Sequence, residues 1–425
     1  MAKTDGTVQA MWLQSLLSAG WNPGHILTRP KLEPGEEHEA ICFARGSGDP
    51  ALFPAAALSR ALRFVLRRDG AGALDYGDGR GYLPLRIAVA ADLARQGVQV
   101  AAEEVLITSG SQQAIDLCAQ AFLQPGDWVV VESPTYNLAI DLFLSHKVNL
   151  APVPVDEEGM RVDGLEAVVA TRRPRLIYVI PTNHNPTGAC MGAHRRKAIL
   201  DLARQHSLPL LEDNYLGDLV YGEGNPPPLK AMDARGDAVM VGTFSKTLAP
   251  ALRVGYLVAE RALVERLARL RVVRDVSGCE VMQRVMELLL STGWYRRHVM
   301  RLRREYRARR DAMGQALRRQ LPGTAGWDLP RGGLFFWLRL PAGVEESDVV
   351  EKARQAGVSV AGGSFFFPEA VTQGYLRLNL AENPPERIEE GVRRLALAMA
   401  SSLSGREARS APPRAVDDRG QGLCA

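Results

Sequence analysis

Cysteine, aromatic residues and long apolar runs are all scarce in this chain. Its five cysteines (Cys42, Cys118, Cys190, Cys279, Cys424) are scattered with no close pair, a pattern that fits neither a disulfide framework nor a zinc knuckle. They read as small hydrophobes or incidental thiols. The seven histidines are equally dispersed, none at a metal-binding helical spacing, and no metal site is expected. No apolar run approaches the roughly 18 residues of a membrane-spanning helix. The patch from Trp12 to Leu17 is too short and interrupted for the core of a signal peptide. A cytoplasmic protein with no membrane partner is the expectation.

A strong charge balance is missing too. The formal net charge is +4, and the pI of about 8.8 reflects many arginines rather than one basic domain. No nucleic-acid partner is expected from the bulk. The arginine-rich stretch from Arg296 to Arg310 also carries Val299, Leu302 and Tyr306, followed by Met313 and Leu317. That spacing predicts a helix with one buried stripe and a solvated basic face, whose arginine stems cover apolar surface.

What is present is length and alternation. A chain of 425 residues exceeds the roughly 250–300 at which a single core stops growing. Residues 1–40 are irregular and proline-dotted. Helical patterns follow at Ala55 to Leu66 and Leu83 to Arg95, then a short strand, Glu104 to Thr108. Asp127 to Glu132, Leu176 to Ile180, Leu208 to Glu212 and Ala238 to Thr243 read as buried strands, with helices such as Asn137 to Ser145 and His194 to His206 between them. Apolar strands alternating with helices predict an α/β fold with a mainly parallel sheet covered on both faces. From about Val276 a long helical stretch runs to Gln320. Strand Gly332 to Leu340, helix Ser347 to Ala356, strand Tyr375 to Leu380 and helix Pro385 to Leu403 then suggest a smaller α+β domain. The tail from Ser404 is rich in Arg, Pro, Gly and Asp, and disorder is expected there.

Four strand ends carry chemistry. After Ala238 to Thr243 stand Phe244, Ser245 and Lys246; a lysine so placed can attack an aldehyde if its surroundings keep the amine neutral. Thr243, Ser245 and Arg253 make a plausible phosphate cradle. Asp213 ends another strand, where a carboxylate can keep a pyridine nitrogen protonated and the ring an electron sink. The turn Pro181-Thr182-Asn183-His184-Asn185-Pro186-Thr187-Gly188 could aim the Asn185 amide at a phenolate. Ser109-Gly110-Ser111-Gln112 opens a helix whose unpaired N–H groups favour an anion. Singly, each has an ordinary reading as a turn or a cap, and His184 reads as a structural residue. Together they fall where open α/β sheets bind ligands, at the carboxyl ends of the strands.

The order of Tyr76, Gly110-Ser111-Gln112, Tyr136, Asn185-Pro186-Thr187-Gly188, Asp213, Lys246, Arg253 and Arg377 resembles that of class I/II aminotransferases of fold type I, over about residues 40–400. Within that class the chain looks nearest to the 2-aminoadipate/kynurenine-type multisubstrate enzymes. It also resembles the aminotransferase half of MocR-type regulators, through Asp75 to Tyr82 and Glu212 to Tyr215. The resemblance implies a seven-stranded-type sheet in a large cofactor domain (46–285), a small domain (286–403), an N-terminal segment (1–45) reaching the substrate site, and a tail (404–425).

It implies pyridoxal 5′-phosphate as cofactor, attached to Lys246, which would also shuttle the proton between substrate and cofactor. Asp213 would pair with the pyridine nitrogen, Asn185 with the phenolic oxygen, and Tyr136 would stack on the ring. Ser111, Gln112, Thr243, Ser245 and Arg253 would hold the phosphate, joined by Tyr76 from the other subunit of a homodimer. Arg377 would clamp the substrate carboxylate, with Asn185 and Gly46 beside it. Three departures stand near the site. Leu216 occupies the place of a customary tyrosine, so that Tyr215 would supply the phenolic contact. His184 replaces a frequent glutamine, and Arg45 interrupts a glycine-richer stretch.

The activity implied is amino transfer from an α-amino acid to a 2-oxo acid, with 2-oxoglutarate the usual acceptor, in two half-reactions. Leu216 and His184 motivate an alternative on the same scaffold: an oxidase, monooxygenase or decarboxylase. A cofactor-sensing regulator is the third reading; it would carry a winged-helix domain, and the residues before Phe43 lack a helix-turn-helix pattern. Arg29 and Arg45 are candidates for contacting an acidic substrate side chain.

Overall fold

Runs of β-branched and leucine residues build the centre of the molecule, described by a computed structural model for residues 40–410 except 223–225, 322 and 324. The strands are β1 (Ile41–Cys42), β2 (Val105–Thr108), β3 (Trp128–Ser133), β4 (Asn149–Asp156), β5 (Gly159–Met160), β6 (Leu176–Val179) and β7 (Leu210–Asp213). They continue as β8 (Ala238–Thr243), β9 (Gly255–Val258), β10 (Phe335–Arg339), β11 (Val358–Ser359), β12 (Ala361–Gly362) and β13 (Tyr375–Asn379). Eight of them form one sheet in the order β2-β9-β8-β7-β6-β3-β4-β5.

From β8 to β4 every pairing is parallel. Only β9, between β2 and β8, and the two-residue β5 run antiparallel to their neighbours. The central strands β6, β7 and β8 are buried at every position, as expected of strands covered by helices on both faces. The alternation of strand and helix therefore leads to the sheet predicted. Strand β4 was not anticipated, because Pro152 and Pro154 interrupt it. Near the sheet's edge, with only the two-residue β5 beyond it, such residues are tolerated.

The second sheet is small: β10, β13 and β12 pair antiparallel, with Trp337 opposite Arg377. Strand β1 joins β11 in parallel, Ile41 beside Val358, so the chain just before the large sheet is stitched to the C-terminal part. The helical stretch expected from Val276 to Gln320 is two helices, Glu280–Ser291 and Trp294–Gln320, parted by Gly293 in the left-handed conformation (φ 67°). Glycine adopts it without steric cost. Val299, Leu302, Tyr306, Met313 and Leu317 are buried as predicted. The basic face is not wholly solvated, however: Arg309 is buried, bonded to Asp49 at 2.8 Å and to the Ala381 carbonyl.

The last helix does not stop at Leu403 but runs from Pro385 to Ser410. Ile388, Val392, Leu395 and Met399 form its buried stripe, and residues 404–410 of the expected tail continue it. Residues 1–39 and 411–425, with Arg29 and Cys424, lie outside the described residues. None of the four described cysteines is in a disulfide. None of the described helices is long and apolar enough to cross a membrane.

Candidate active site

The carboxyl ends of β6, β7 and β8, the Tyr136 segment after β3, and β13 meet around a cavity of about 220 Å³. Its walls include Gly46, Ser111, Tyr136, Asn185, Asp213, Tyr215, Lys246 and Arg377, all predicted site residues, with Asn137, Leu138, Ile180 and Phe335.

Lys246 arrives three residues after β8. Phe244 anchors that turn by packing on Tyr256 and Tyr295, and the Ser245 N–H donates to Thr243 Oγ1 at 3.2 Å. The Lys246 amine donates to the Gly46 carbonyl at 2.9 Å. Burial, then the nearby Arg377 cation, lowers its pKa to about 8, with Asp213 opposing. A substantial neutral fraction near neutral pH is what a nucleophilic amine requires.

Asp213 closes β7 and is 2% exposed. Its Oδ2 accepts the Tyr178 hydroxyl at 2.9 Å, while Oδ1 has no partner. Burial raises its pKa to about 7, against the Tyr178 bond, the Tyr215 backbone N–H and Lys246. An unpartnered buried carboxylate oxygen needs an explanation, and a protonated ring nitrogen supplies one.

Arg377 projects from β13 between Phe335 and Phe366, 4.2 and 4.7 Å from their ring centres. Its guanidinium donates to Asn185 Oδ1 at 3.0 Å and to the Ala44 carbonyl at 2.8 Å, and Nε is unpartnered. Burial lowers its pKa to about 10, leaving it cationic at neutral pH. Because the Asn185 oxygen is taken by Arg377, its NH₂ is left for the cavity, the orientation a phenolate oxygen needs. The turn bearing Asn185 is fixed from behind by buried Arg196, which donates to Pro181 O and Thr182 Oγ1, both at 2.9 Å.

The anion cradle lies one turn away. Gly110 has φ 83°, and a Cβ there would stand 2.8 Å from the Arg253 guanidinium. Arg253, itself left-handed (φ 51°), donates to the Ser109 carbonyl at 2.6 Å. Thr243 Oγ1 donates to Ser245 Oγ at 2.9 Å. The helix Ser111–Phe122 opens here without a side-chain cap, so its first N–H groups are available to a phosphate.

Other predicted residues sit elsewhere or have their polar groups already engaged. The Gln112 amide donates to the Leu138 carbonyl at 3.1 Å and borders a surface hollow with Asp116 and Asp141, so its backbone N–H is what remains for a phosphate. Tyr76 is 81% exposed and outside the cavity of its own chain. The Tyr215 hydroxyl donates to the Asn183 carbonyl at 2.9 Å. Leu216 is fully buried and accepts, through its carbonyl, the Asn183 amide at 2.7 Å. His184 is buried beside Glu132. Arg45 pairs with Glu382 at 2.7 Å. Sequence reasoning missed Tyr178, Ile180 and Phe335; the period of two that puts Tyr178 and Ile180 on one face of the chain was the available signal for the first pair.

Residues 45–395 match the family described as aminotransferase class I and II. The chain belongs to that family. An aromatic-amino-acid aminotransferase of Thermococcus litoralis is 36% identical over 85% of this chain and 88% of its own length. A 2-aminoadipate transaminase of Thermus thermophilus is 34% identical over 95% and 97%. Among solved structures, the α-aminoadipate aminotransferase LysN of Thermus thermophilus superposes with a TM-score of 0.84 at 34% identity, over 92% of this chain and 99% of its own. The kynurenine aminotransferase of Pyrococcus horikoshii gives 0.83 at 31%, with the same coverage. A Bacillus subtilis protein named as an HTH-type transcriptional regulator, YdfD, is 30% identical over 93% of this chain and 81% of its own length. This aminotransferase uses pyridoxal 5′-phosphate, which fits the unpartnered Asp213 oxygen, the glycine-floored cradle and the half-buried Lys246 amine. When bound, the cofactor supplies an aldehyde that takes up an amine and a ring that withdraws electrons.

Proposed function

We propose that Lys246, Asp213, Asn185 and Arg377 are the working residues of amino transfer, and that the donor is an α-amino acid with a bulky apolar or aromatic side chain. The observation that carries this reading is the common cavity in which a low-pKa amine, an unpartnered carboxylate oxygen and a half-free guanidinium meet.

Lys246 would hold the cofactor's aldehyde, and its amine, with the pKa lowered to about 8, would serve as the base and acid that moves the substrate's Cα proton. Asp213 would keep the ring nitrogen protonated, and the Asn185 amide would donate to the phenolic oxygen. Tyr136 would stack on the ring, and Tyr215, which also lines the cavity, would stand near the phenolic oxygen. Ser111, Thr243, Ser245, Arg253 and the Gln112 backbone hold the phosphate. Arg377 binds the carboxylate shared by amino acid and 2-oxo acid, with Gly46 at its side. Leu138, Ile180 and Phe335 give the cavity apolar walls. Relatives named for aromatic substrates and kynurenine, and a LysN structure holding a phosphopyridoxyl-leucine, support the side-chain class.

For the acceptor the reading is 2-oxoglutarate. Its second carboxylate needs a cation, and Arg45, next to Gly46 and 37% exposed, can exchange Glu382 for it. Replacing Arg45 by Ala is expected to lower kcat/KM for 2-oxoglutarate about tenfold, the worth of one charge-assisted bond, while a monocarboxylic 2-oxo acid is used as before. Equal losses for both acceptors would remove Arg45 from that role.

The working unit is a homodimer, with Tyr76 completing the phosphate site of the other subunit. Tyr76, Val273 and Val276 are exposed, 53–84%, and Gly79 lies against Val272, one residue before Val273, which brings Tyr76's loop beside this helix. We keep the division into a large domain (46–285) and a small one (286–403), and a cytoplasmic location, as part of this reading.

A further inference from the structure

The anion cradle stands at the end of β2, which pairs with β9 and has no strand on its other side among the described residues. Three bonds pin its turn. The Thr108 hydroxyl donates to the Gly110 carbonyl at 3.0 Å, and Arg253 donates to the Ser109 carbonyl. The Ser109 N–H donates to Gln113 Oε1 at 2.8 Å. Gln113 is the third residue of the helix Ser111–Phe122, a position from which a glutamine can reach back across the helix start, much as in a capping box.

A cap of that kind needs only this one link, but Gln113 has a second. Its oxygen accepts from a backbone amide, so its NH₂ is the group that meets Asp275 Oδ2, at 2.6 Å. Asp275 ends the helix Arg261–Asp275, and its other oxygen accepts Nε of Arg271, one turn earlier, at 3.3 Å. The Arg271 side chain is fully buried. Its Nη1 donates to the Ile107 carbonyl of β2 and, at 3.3 Å, to the carbonyl of Gly79, three residues after Tyr76. The Ile107 N–H in turn donates to the Arg80 carbonyl at 2.9 Å. A continuous chain of donors and acceptors therefore runs from the Tyr76 loop through Arg271, Asp275 and Gln113 to Ser109. Every donor in it is a guanidinium, a primary amide or a backbone N–H.

We propose that Gln113, Asp275 and Arg271 are positioning residues for the cofactor's phosphate. They hold the turn at Ser109 and Gly110 so that the N–H groups opening the helix and the Arg253 guanidinium converge on one anion. A site gains from such support because donors fixed in advance lose little freedom when the anion arrives. The same arginine fixes the loop that carries Tyr76, so the cradle and that loop share one fastening. The inference rests on the reading that this cradle takes the phosphate, and a separate variant tests that reading.

The test titrates the full chain, freed of cofactor, with pyridoxal 5′-phosphate and with pyridoxal, which lacks the phosphate; visible absorbance reads both. Gln113→Met fills a similar space and makes neither bond. It is expected to raise Kd for pyridoxal 5′-phosphate about tenfold, the upper worth of one neutral hydrogen bond, and to leave Kd for pyridoxal unchanged. A role in the fold alone would move both alike. Equal losses for the two ligands, or no loss for either, therefore overturn the proposal. Should Gln113→Met not fold, Asp275→Asn decides. It removes a negative charge from the cradle's surroundings, which by charge alone favours an anion, whereas the positioning role predicts weaker binding of pyridoxal 5′-phosphate only. Tighter or unchanged binding there refutes the role. Arg253→Ala tests the underlying reading and should weaken pyridoxal 5′-phosphate while sparing pyridoxal. If it affects both alike or neither, the phosphate binds elsewhere, and the reading of the cradle falls together with the proposal built on it.

Discussion

Half-buried Lys246 and buried Asp213 carry shifts in opposite directions, toward about 8 and about 7, and two pH dependences follow. Capture of added pyridoxal 5′-phosphate by the cofactor-free chain requires the neutral amine, so its rate should climb with pH to about 8 and then level off; stopped-flow absorbance in the visible reads it. Asp213 has a folded pKa above its unfolded value of about 3.9. Its contribution to stability is therefore full below about pH 4 and is lost as pH rises through about 7, on the order of 4 kcal/mol in all. Urea unfolding of the cofactor-free chain should show that loss, and Asp213→Asn should abolish it. At Arg377 the fork is shared among Asn185, Ala44 and the cavity. A lysine cannot reproduce this geometry, so Arg377→Lys should raise KM for donor and acceptor alike by about tenfold to a hundredfold. An effect on only one of the two would show that the carboxylate binds elsewhere.

Individual elements were legible where period and punctuation agreed. The helix Asn137–Ser145 and the strand Ala238–Thr243 fall where their patterns put them. Strand β9 escaped notice because it is four residues long and follows directly on the Arg253 turn. The helix break at Gly293 was passed over because hydrophobic spacing continues on both sides of it. The proposed site residues stand at strand ends, where lysine, aspartate and asparagine have few packing reasons to exist. The partners that tune them, Tyr178 for Asp213 and Phe335 for Arg377, look like ordinary core residues and declare themselves only in three dimensions. The cradle makes an element-scale prediction. Gly110→Ala places a Cβ 2.8 Å from Arg253 at a positive φ; it should destabilise the fold by about 1–3 kcal/mol and weaken cofactor affinity. Denaturation and equilibrium dialysis check the two effects separately, and a variant that keeps wild-type affinity would detach Gly110 from the phosphate.

For the whole molecule, the β1–β11 pairing and the Arg377–Ala44 bond tie the segment at residues 41–46 to the C-terminal part of the chain and the cavity at once. If Arg377 holds the carboxylate as proposed, substrate binding is coupled to the position of that segment. The exposed face around Val273 predicts that Val273→Asp, placed on the proposed subunit contact, yields monomers by light scattering, with cofactor affinity lowered because Tyr76 no longer reaches the partner's site. Monomers that bind the cofactor as tightly as wild type would place the site within one chain. The central claim is that one amino group passes from donor to cofactor to acceptor through Lys246, and an anaerobic absorbance cycle tests it most directly. An α-amino acid should bleach the visible band of the holoenzyme and a 2-oxo acid should restore it, with Lys246→Ala showing neither change. Oxygen uptake, or release of CO₂ without an acceptor, would contradict amino transfer as the reaction.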